Sequence, residues 1–230
     1  MKKFFSKIFK GLFTLIICVA LIITGIVTFQ TFLLGSVNVE GPSMKPTIEE
    51  KGAVAYYLIN GYKLDYGDIV IAYAPSESEP QGVCPSEVKN SFSTFVENYK
   101  EYFNNLSRLV KRESATAEKE PVNGYVCVIK RVIGLPGDTV TIADGKLYVN
   151  GEEKEESYIL EDMIKKHSGE SYGVKNDTWI LEDDEYFILG DNRNVSRDSE
   201  DYGPVKDTQI LGKVWMVKQK GKMITAGNLD

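Results

Sequence analysis

From Gly11 to Leu34 the chain carries no charged residue, and Leu, Ile, Val and Phe dominate the run. A helix over that stretch, rising 1.5 Å per residue, is long enough to cross a hydrocarbon core of about 30 Å. It exceeds the roughly 7–15 apolar residues of a secretory signal, and no small-residue cleavage site follows it cleanly. Lys2, Lys3, Lys7 and Lys10 precede it without an intervening acid, and Glu40 follows soon after. That asymmetry predicts residues 1–10 as a cytoplasmic tail, 11–34 as a transmembrane helix and 35–230 as an extracytoplasmic domain. A helix this long, with a lysine flank, is a poor candidate for a buried core helix of a soluble protein.

The outer domain is acidic. The whole chain has a formal charge of −6, and the lysine-rich start makes the remainder more negative still, which argues against a nucleic-acid partner. Its length suits one domain with an insertion better than two cores. Cys18 falls in the apolar run, leaving Cys84 and Cys127 in the outer domain. There they can pair or stand as two separate thiols.

Strand signals set the organisation of that domain. Val37 and Val39 alternate into Gly41-Pro42, Val54–Ile59 and Asp68–Tyr73 are short β-rich runs, and Tyr125–Ile133 is a longer one. Asp144-Gly145 and Asn150-Gly151 mark two hairpin turns. Glu152–Asp177 reads as an exposed polar ribbon or loop. Tyr186–Leu189 and Ile210–Lys218 are further strands, and the tail from Gly221 reads as loose. Between strands, residues 75–123 change character: a polar stretch precedes apolar residues at gaps of three and four from Val88 to Val110, the mark of an amphipathic helix. The fold expected is therefore mainly β, with a helical insertion at about 75–123.

Two residues stand out chemically. Lys130 interrupts a β-branched apolar run, and alternation places it on one face with Val126, Val128 and Val132. Burial there would lower the lysine pKa and leave a neutral amine able to accept a proton. The competing reading is an edge strand whose lysine faces solvent against aggregation. Ser43 sits just past a strand end, where Gly41-Pro42 turns the backbone and Pro46 discourages a helix. It is either a nucleophile offered on a turn or part of a linker leaving the apolar run; the first needs a base.

Other chemistries find less support. His167, the single histidine, lies in the charged stretch Lys165-Lys-His-Ser-Gly, which suits a surface loop better than a Ser-His-Asp triad. No Cys/His cluster has metal-ligand spacing, which disfavours zinc hydrolysis, and no phosphate-cradling glycine motif occurs. Ser86-Glu-Val-Lys89 matches Ser-x-x-Lys but lacks the partner motifs of penicillin-recognising enzymes. A serine with a lysine base remains. The polar loop Gly190–Pro204 offers Ser196 and Asp198 to orient it.

Gly41-Pro-Ser-Met-Lys-Pro-Thr-Ile48, Gly67-Asp-Ile-Val70, Lys130-Arg-Val-Ile-Gly-Leu-Pro-Gly-Asp138 and Gly190-Asp-Asn-Arg-Asn-Val-Ser-Arg-Asp-Ser199 resemble, in order, the motif boxes of type I signal peptidases. With the apolar run, they resemble the single-span form of Gram-positive bacteria. The resemblance covers about residues 1–74 and 124–218. It implies an all-β catalytic fold with an extended ribbon outside the membrane, cutting after small residues without metal or cofactor. Ser43 is then the nucleophile and Lys130 its general base. Ser196 orients the lysine, Asp198 supports it, and Asp191, Asn192 and Arg193 are scaffold. Gly41 stands where some relatives place an oxyanion-hole serine. Glu200 stands where the family has an arginine paired with the aspartate, and Arg197 is the neighbouring cation that could take over that pairing.

The expected substrates are signal peptides of secreted preproteins, and the other expected partner is the lipid bilayer. The peptide would add as a strand to the edges of Val37–Gly41 and Tyr125–Lys130, with Val39, Met44, Ile48 and Ile129 lining a shallow apolar pocket. The alternative is a pilus-dedicated factor acting on pilin or other surface-protein precursors, either as a processing enzyme or as a non-hydrolytic assembly chaperone. The presence of both Ser43 and Lys130 favours an enzyme. The insertion carries two expectations, a helix packed on the β-core or a cap beside Ser43.

Overall fold

The computed structural model of the chain describes residues 2–59, 61–76, 84, 124–143, 145–160 and 177–229, with the side chains of residues 2–9 and 26–33 outside that description. The expected helix of the insertion, His167 and Ser86-Glu-Val-Lys89 therefore lie outside the described residues.

The chain divides into two units, with the N-terminal helix in one and nearly all of the β-structure in the other. Helix α1 runs Lys2–Leu33 as one uninterrupted element. Its described side chains, residues 10–25, are all exposed, including Leu12, Phe13, Ile16, Leu21 and Ile22. That described stretch is itself shorter than the roughly 20 residues a span needs. Among the described residues, no helix is long and apolar enough to cross a membrane.

The second unit is built on β-strands. β1 (Leu34–Val39), β2 (Ala53–Leu58), β3 (Ile69–Pro75) and β4 (Tyr125–Gly134) come first. β5 (Thr139–Ala143), β6 (Lys146–Val149), β7 (Glu152–Glu153) and β8 (Asp177–Ile180) follow. β9 (Glu185–Leu189), the single-turn helix α2 (Ser199–Tyr202), β10 (Val205–Lys206), β11 (Ile210–Gln219) and β12 (Lys222–Thr225) complete it. Among the described residues, one sheet runs in the order β1-β2-β11-β3-β4-β9-β10, with β12 paired to β11, and a second runs β7-β6-β5-β8.

Strand chemistry explains the layering. β3 is buried on both faces, as a continuous Ile-Val-Ile-Ala run requires. Ile69 and Ile71 point into one cluster with Val39, Met44, Ile48, Ile129 and Val214. Val70 and Ala72 point into another with Leu64, Val132, Ile188 and Val205. A third cluster joins the two sheets through Ile133, Val140, Leu147, Leu181 and Phe187, with the Trp179 ring tilted by 46° against Phe187 at 4.7 Å between centroids. Because β1 and β4 both contribute to the first cluster, the sheet curls so that its β1 end and β4 share a core.

β4 pairs with β3 over Tyr125–Arg131, but its other side meets β9 only from Arg131 to Gly134. No described strand other than β3 is in register with Tyr125–Lys130. The hairpin at Asn150-Gly151 forms as its sequence requires, with both residues at positive φ.

Three expectations are corrected. The tail is not loose: β12 pairs with β11 from Met216↔Thr225 to Gln219↔Lys222, and Leu229 is buried in the first cluster. The described residues 152–160 are not simply an exposed ribbon or loop, since Tyr158 packs against the inter-sheet cluster and Ile159 is buried. The solvent-facing edge reading of Lys130 also fails, because only 3% of that residue is exposed. As for the thiols, Cys84 is buried, Cys127 is exposed, and both are free of disulfides.

Candidate active site

β4 carries two adjacent cations into the interior on opposite faces. Lys130 shares its face with Val128 and Val132 and sits opposite Val70 in the β3 register. Its Nζ donates a hydrogen bond to Ser196 Oγ at 2.8 Å. Burial among these aliphatic neighbours pushes its pKa below the ordinary lysine value, while Asp198, Asp201 and Asp191 act in the opposite sense. A lysine whose closest hydrogen-bonded partner is a neutral hydroxyl is suited to shed its proton.

Asp198 stands behind that hydroxyl. It caps α2, accepting from Glu200 N–H, while Asp201 reciprocates to the Asp198 N–H. Its Oδ2 accepts from Gly190 N–H at 2.9 Å. Burial raises its pKa, and the Gly190 N–H, the Ser196 hydroxyl and the Lys130 charge pull it back down. Arg197 does not take the place of an arginine partner for this aspartate: its guanidinium donates to the carbonyls of Pro75 and Ser76. The Glu200 position instead contributes its backbone N–H.

Ser43 lies on a turn anchored at several points. Lys45 N–H bonds to Pro42 O and Ile48 N–H to Met44 O. Gly41 has φ +90°, a region open to glycine and strained for residues with a Cβ. A serine hydroxyl at position 41 would therefore require a different backbone. The Ser43 carbonyl accepts from Asn192 N–H at 2.9 Å. A Cβ on Gly190 would come within 2.2 Å of Ser196 Oγ and 2.6 Å of the Ser43 carbonyl oxygen. Glycine at 190 thus lets the Ser43 turn and the lysine's hydroxyl partner crowd the same point. Among the described residues there is no direct hydrogen bond between Ser43 and Lys130, and neither the Ser43 hydroxyl nor its N–H has a hydrogen-bond partner.

Asp191 joins the pieces. It is 1% exposed, as is Arg131, and the two form a bidentate pair at 2.9 and 2.8 Å. Thr47, from the serine turn, donates to the same carboxylate. Arg131 further donates to the carbonyls of Gly67 and Leu229 and lies 4.0 Å from the Tyr158 ring centroid. The buried role of Arg131 is absent from the sequence reading; its signal is the same strand alternation, which sets it between Ile129 and Ile133.

Val39, Met44, Ile48 and Ile129 are brought together in one cluster. Met44 and Ile48 are 0% exposed, and Val39 and Ile129 are buried as well. They back the ground between β1 and β4 rather than offer open surface. Among the described residues, no group of His, Cys, Asp and Glu could hold a metal ion.

A family model described as signal peptidase, peptidase S26 matches residues 10–218. The chain is 39% identical to a probable signal peptidase I-2 of Synechocystis over 94 residues, 41% of this chain and 39% of that protein. It is 27% identical to signal peptidase IB of Staphylococcus aureus over 217 residues, 89% of this chain and 88% of the relative. A signal peptidase I crystal structure from Enterococcus faecalis is 25% identical and covers 66% of this chain and 97% of that one. Its TM-score of 0.38 is too low to bear on the fold.

Proposed function

The chain belongs to the signal peptidase family S26, and from that premise we propose how its residues carry the reaction. It is a signal peptidase I, a serine endopeptidase that removes signal peptides from preproteins. We infer that Ser43 is the nucleophile and Lys130 the general base. Neutral Lys130 Nζ takes the Ser43 hydroxyl proton as Oγ attacks the scissile carbonyl carbon. The carbonyl π pair moves onto oxygen, and the Ser43 N–H faces that oxyanion, a donor of the kind worth roughly 2.7–4 kcal/mol elsewhere. Collapse breaks the C–N bond, and the Lys130 ammonium returns its proton to the departing amine. Water, deprotonated by the same amine, then attacks the acyl carbon; collapse breaks its bond to Ser43 Oγ, which takes the proton back from the Lys130 ammonium. Ser196 orients the lysine and Asp198 supports Ser196.

The observation that carries this reading is the desolvated Lys130, bonded to Ser196 Oγ, with that hydroxyl and the Ser43 carbonyl both crowding Gly190. With β9 pairing β4 only at Arg131–Gly134, and with Val39, Met44, Ile48 and Ile129 in one buried cluster, Tyr125–Lys130 is the edge assigned to strand addition by the substrate. The family is membrane-associated. The charge-free Gly11–Leu34 supports a single anchor, with residues 1–10 cytoplasmic and the β-unit outside. Incubating the detergent-solubilised protein with a preprotein and sequencing the product tests this. A new N-terminus after a small residue, absent with Ser43→Ala, is the expected result. Full cleavage by Ser43→Ala would overturn the assignment.

A further inference from the structure

The segment that leaves the second sheet after β7, Lys154–Leu160, reaches the two arginines behind the candidate centre. Glu156 forms a two-point ion pair with Arg193, whose side chain is 10% exposed against 16% for Glu156. Tyr158 donates its hydroxyl to Glu156 Oε1 at 2.7 Å and lays its ring under Arg131. Arg193 in turn donates from Nε to the Gly190 carbonyl at 3.0 Å. Both backbone polar groups of Gly190 are then held, the carbonyl by Arg193 and the N–H by Asp198. Gly190 is also the residue with no room for a Cβ between Ser196 Oγ and the Ser43 carbonyl. A shift of Gly190 must therefore change the spacing between the lysine's hydroxyl partner and the serine turn.

We propose that Glu156, assisted by Tyr158, is a positioning residue of the peptidase, fixing Gly190 through Arg193 so that Ser43 and Ser196 keep their spacing. This assigns a function to a segment that follows the second sheet's β7 and contributes no reacting group. The physical logic is compensation. A buried guanidinium without a carboxylate turns toward water or another acceptor and gives up its directed bond to a neutral carbonyl. Burial works against the charge of Arg193, yet Glu156 and then Tyr158 outweigh it and hold the guanidinium firmly protonated. The Tyr158 hydroxyl is kept as a donor, because burial and then Glu156 raise its pKa. The same segment also supports Asp191 through Arg131, so one loop steadies two consecutive residues of the site.

The proposal rests on the Ser43–Lys130 reading, and the experiment separates the two. Steady-state kinetics on a signal-peptide substrate are compared for the full-length wild type, Ser43→Ala, Glu156→Gln, Glu156→Asp and the swapped pair E156R/R193E, each with a thermal melt. Glu156→Gln is expected to lower kcat about tenfold or more with KM within about twofold, since sub-ångström misplacement acts on the chemical step. Glu156→Asp should restore part of kcat. The swapped pair restores the ion pair but removes the Nε–H to Gly190, so the melt should recover while kcat stays low. A purely structural ion pair would recover both, and that result overturns the proposal. So does wild-type kcat in folded Glu156→Gln while Ser43→Ala is inactive. Full activity of Ser43→Ala would instead remove the underlying catalytic reading. If Glu156→Gln fails to fold, Tyr158→Phe, which deletes one hydroxyl, decides: a drop in kcat at unchanged KM supports the proposal, and unchanged kcat refutes it.

Discussion

Lys130 and Arg131 are neighbours on one strand, both almost fully buried, and their surroundings are opposites. Arg131 meets a bidentate carboxylate, two backbone carbonyls and an aromatic face. Lys130 meets aliphatic side chains and one serine hydroxyl, with its acids further off. The first environment keeps a charge; the second works against one. The residue types match the tasks, because a guanidinium stays protonated and suits a fork, whereas a buried ammonium readily shifts its pKa. What each face of β4 meets thus sets the two cations apart: one side favours a held charge, the other a neutral amine.

The largest expected effect breaks the distinction at Lys130. Lys130→Arg should lose activity by roughly 10⁴-fold, comparable to disabling a triad base, because guanidinium cannot take the serine proton. Initial rates on a preprotein check this, and activity within tenfold of wild type would mean that Lys130 is not the base.

Arg131→Met should act on stability instead. It leaves Asp191 charged and buried, at about 3–5 kcal/mol by denaturant unfolding, and the double variant R131M/D191N should recover part of that loss. An effect under about 1 kcal/mol would show that the pair does not fasten the site.

The smallest and most diagnostic effect is at Asp198. Its charge raises the Lys130 pKa; Asp198→Asn should therefore move the midpoint of the pH–rate profile to lower pH, with a modest loss of kcat as Ser196 loses its partner. A midpoint moving up would contradict the sign of that coupling.

Much of this was legible along the chain because the signals were local. β3 and β4 stand out as apolar runs, Lys130 as a charge inside one, and the Ser43 turn as Gly-Pro after alternating valines. What escaped depends on distant partners. Strand alternation does not reveal the partner of Arg131, which stands sixty positions later at Asp191. Glu156 and Tyr158 sit in a stretch whose polarity reads as solvated, and only the fold sets them against Arg193 and Arg131. β12 is too short and too polar to announce itself; pairing with β11 makes it a strand. The Arg197 expectation failed for a related reason, since proximity in sequence to Asp198 does not decide where a long side chain finds its acceptors.

If Lys130 is neutral when it activates Ser43, the rate at which Ser43 is labelled must follow the ionisation of that lysine. A serine-directed phosphonate, followed by mass spectrometry of the modified peptide, reports the nucleophile without a substrate-binding step that varies between preproteins. A base must be deprotonated to act, so the labelling rate should rise with pH through the Lys130 pKa. The predicted result is modification at Ser43 with a midpoint below the ordinary lysine value of 10.5, and loss of that pH-dependent labelling in Lys130→Ala. Equal rates with the same pH dependence in wild type and Lys130→Ala would contradict it.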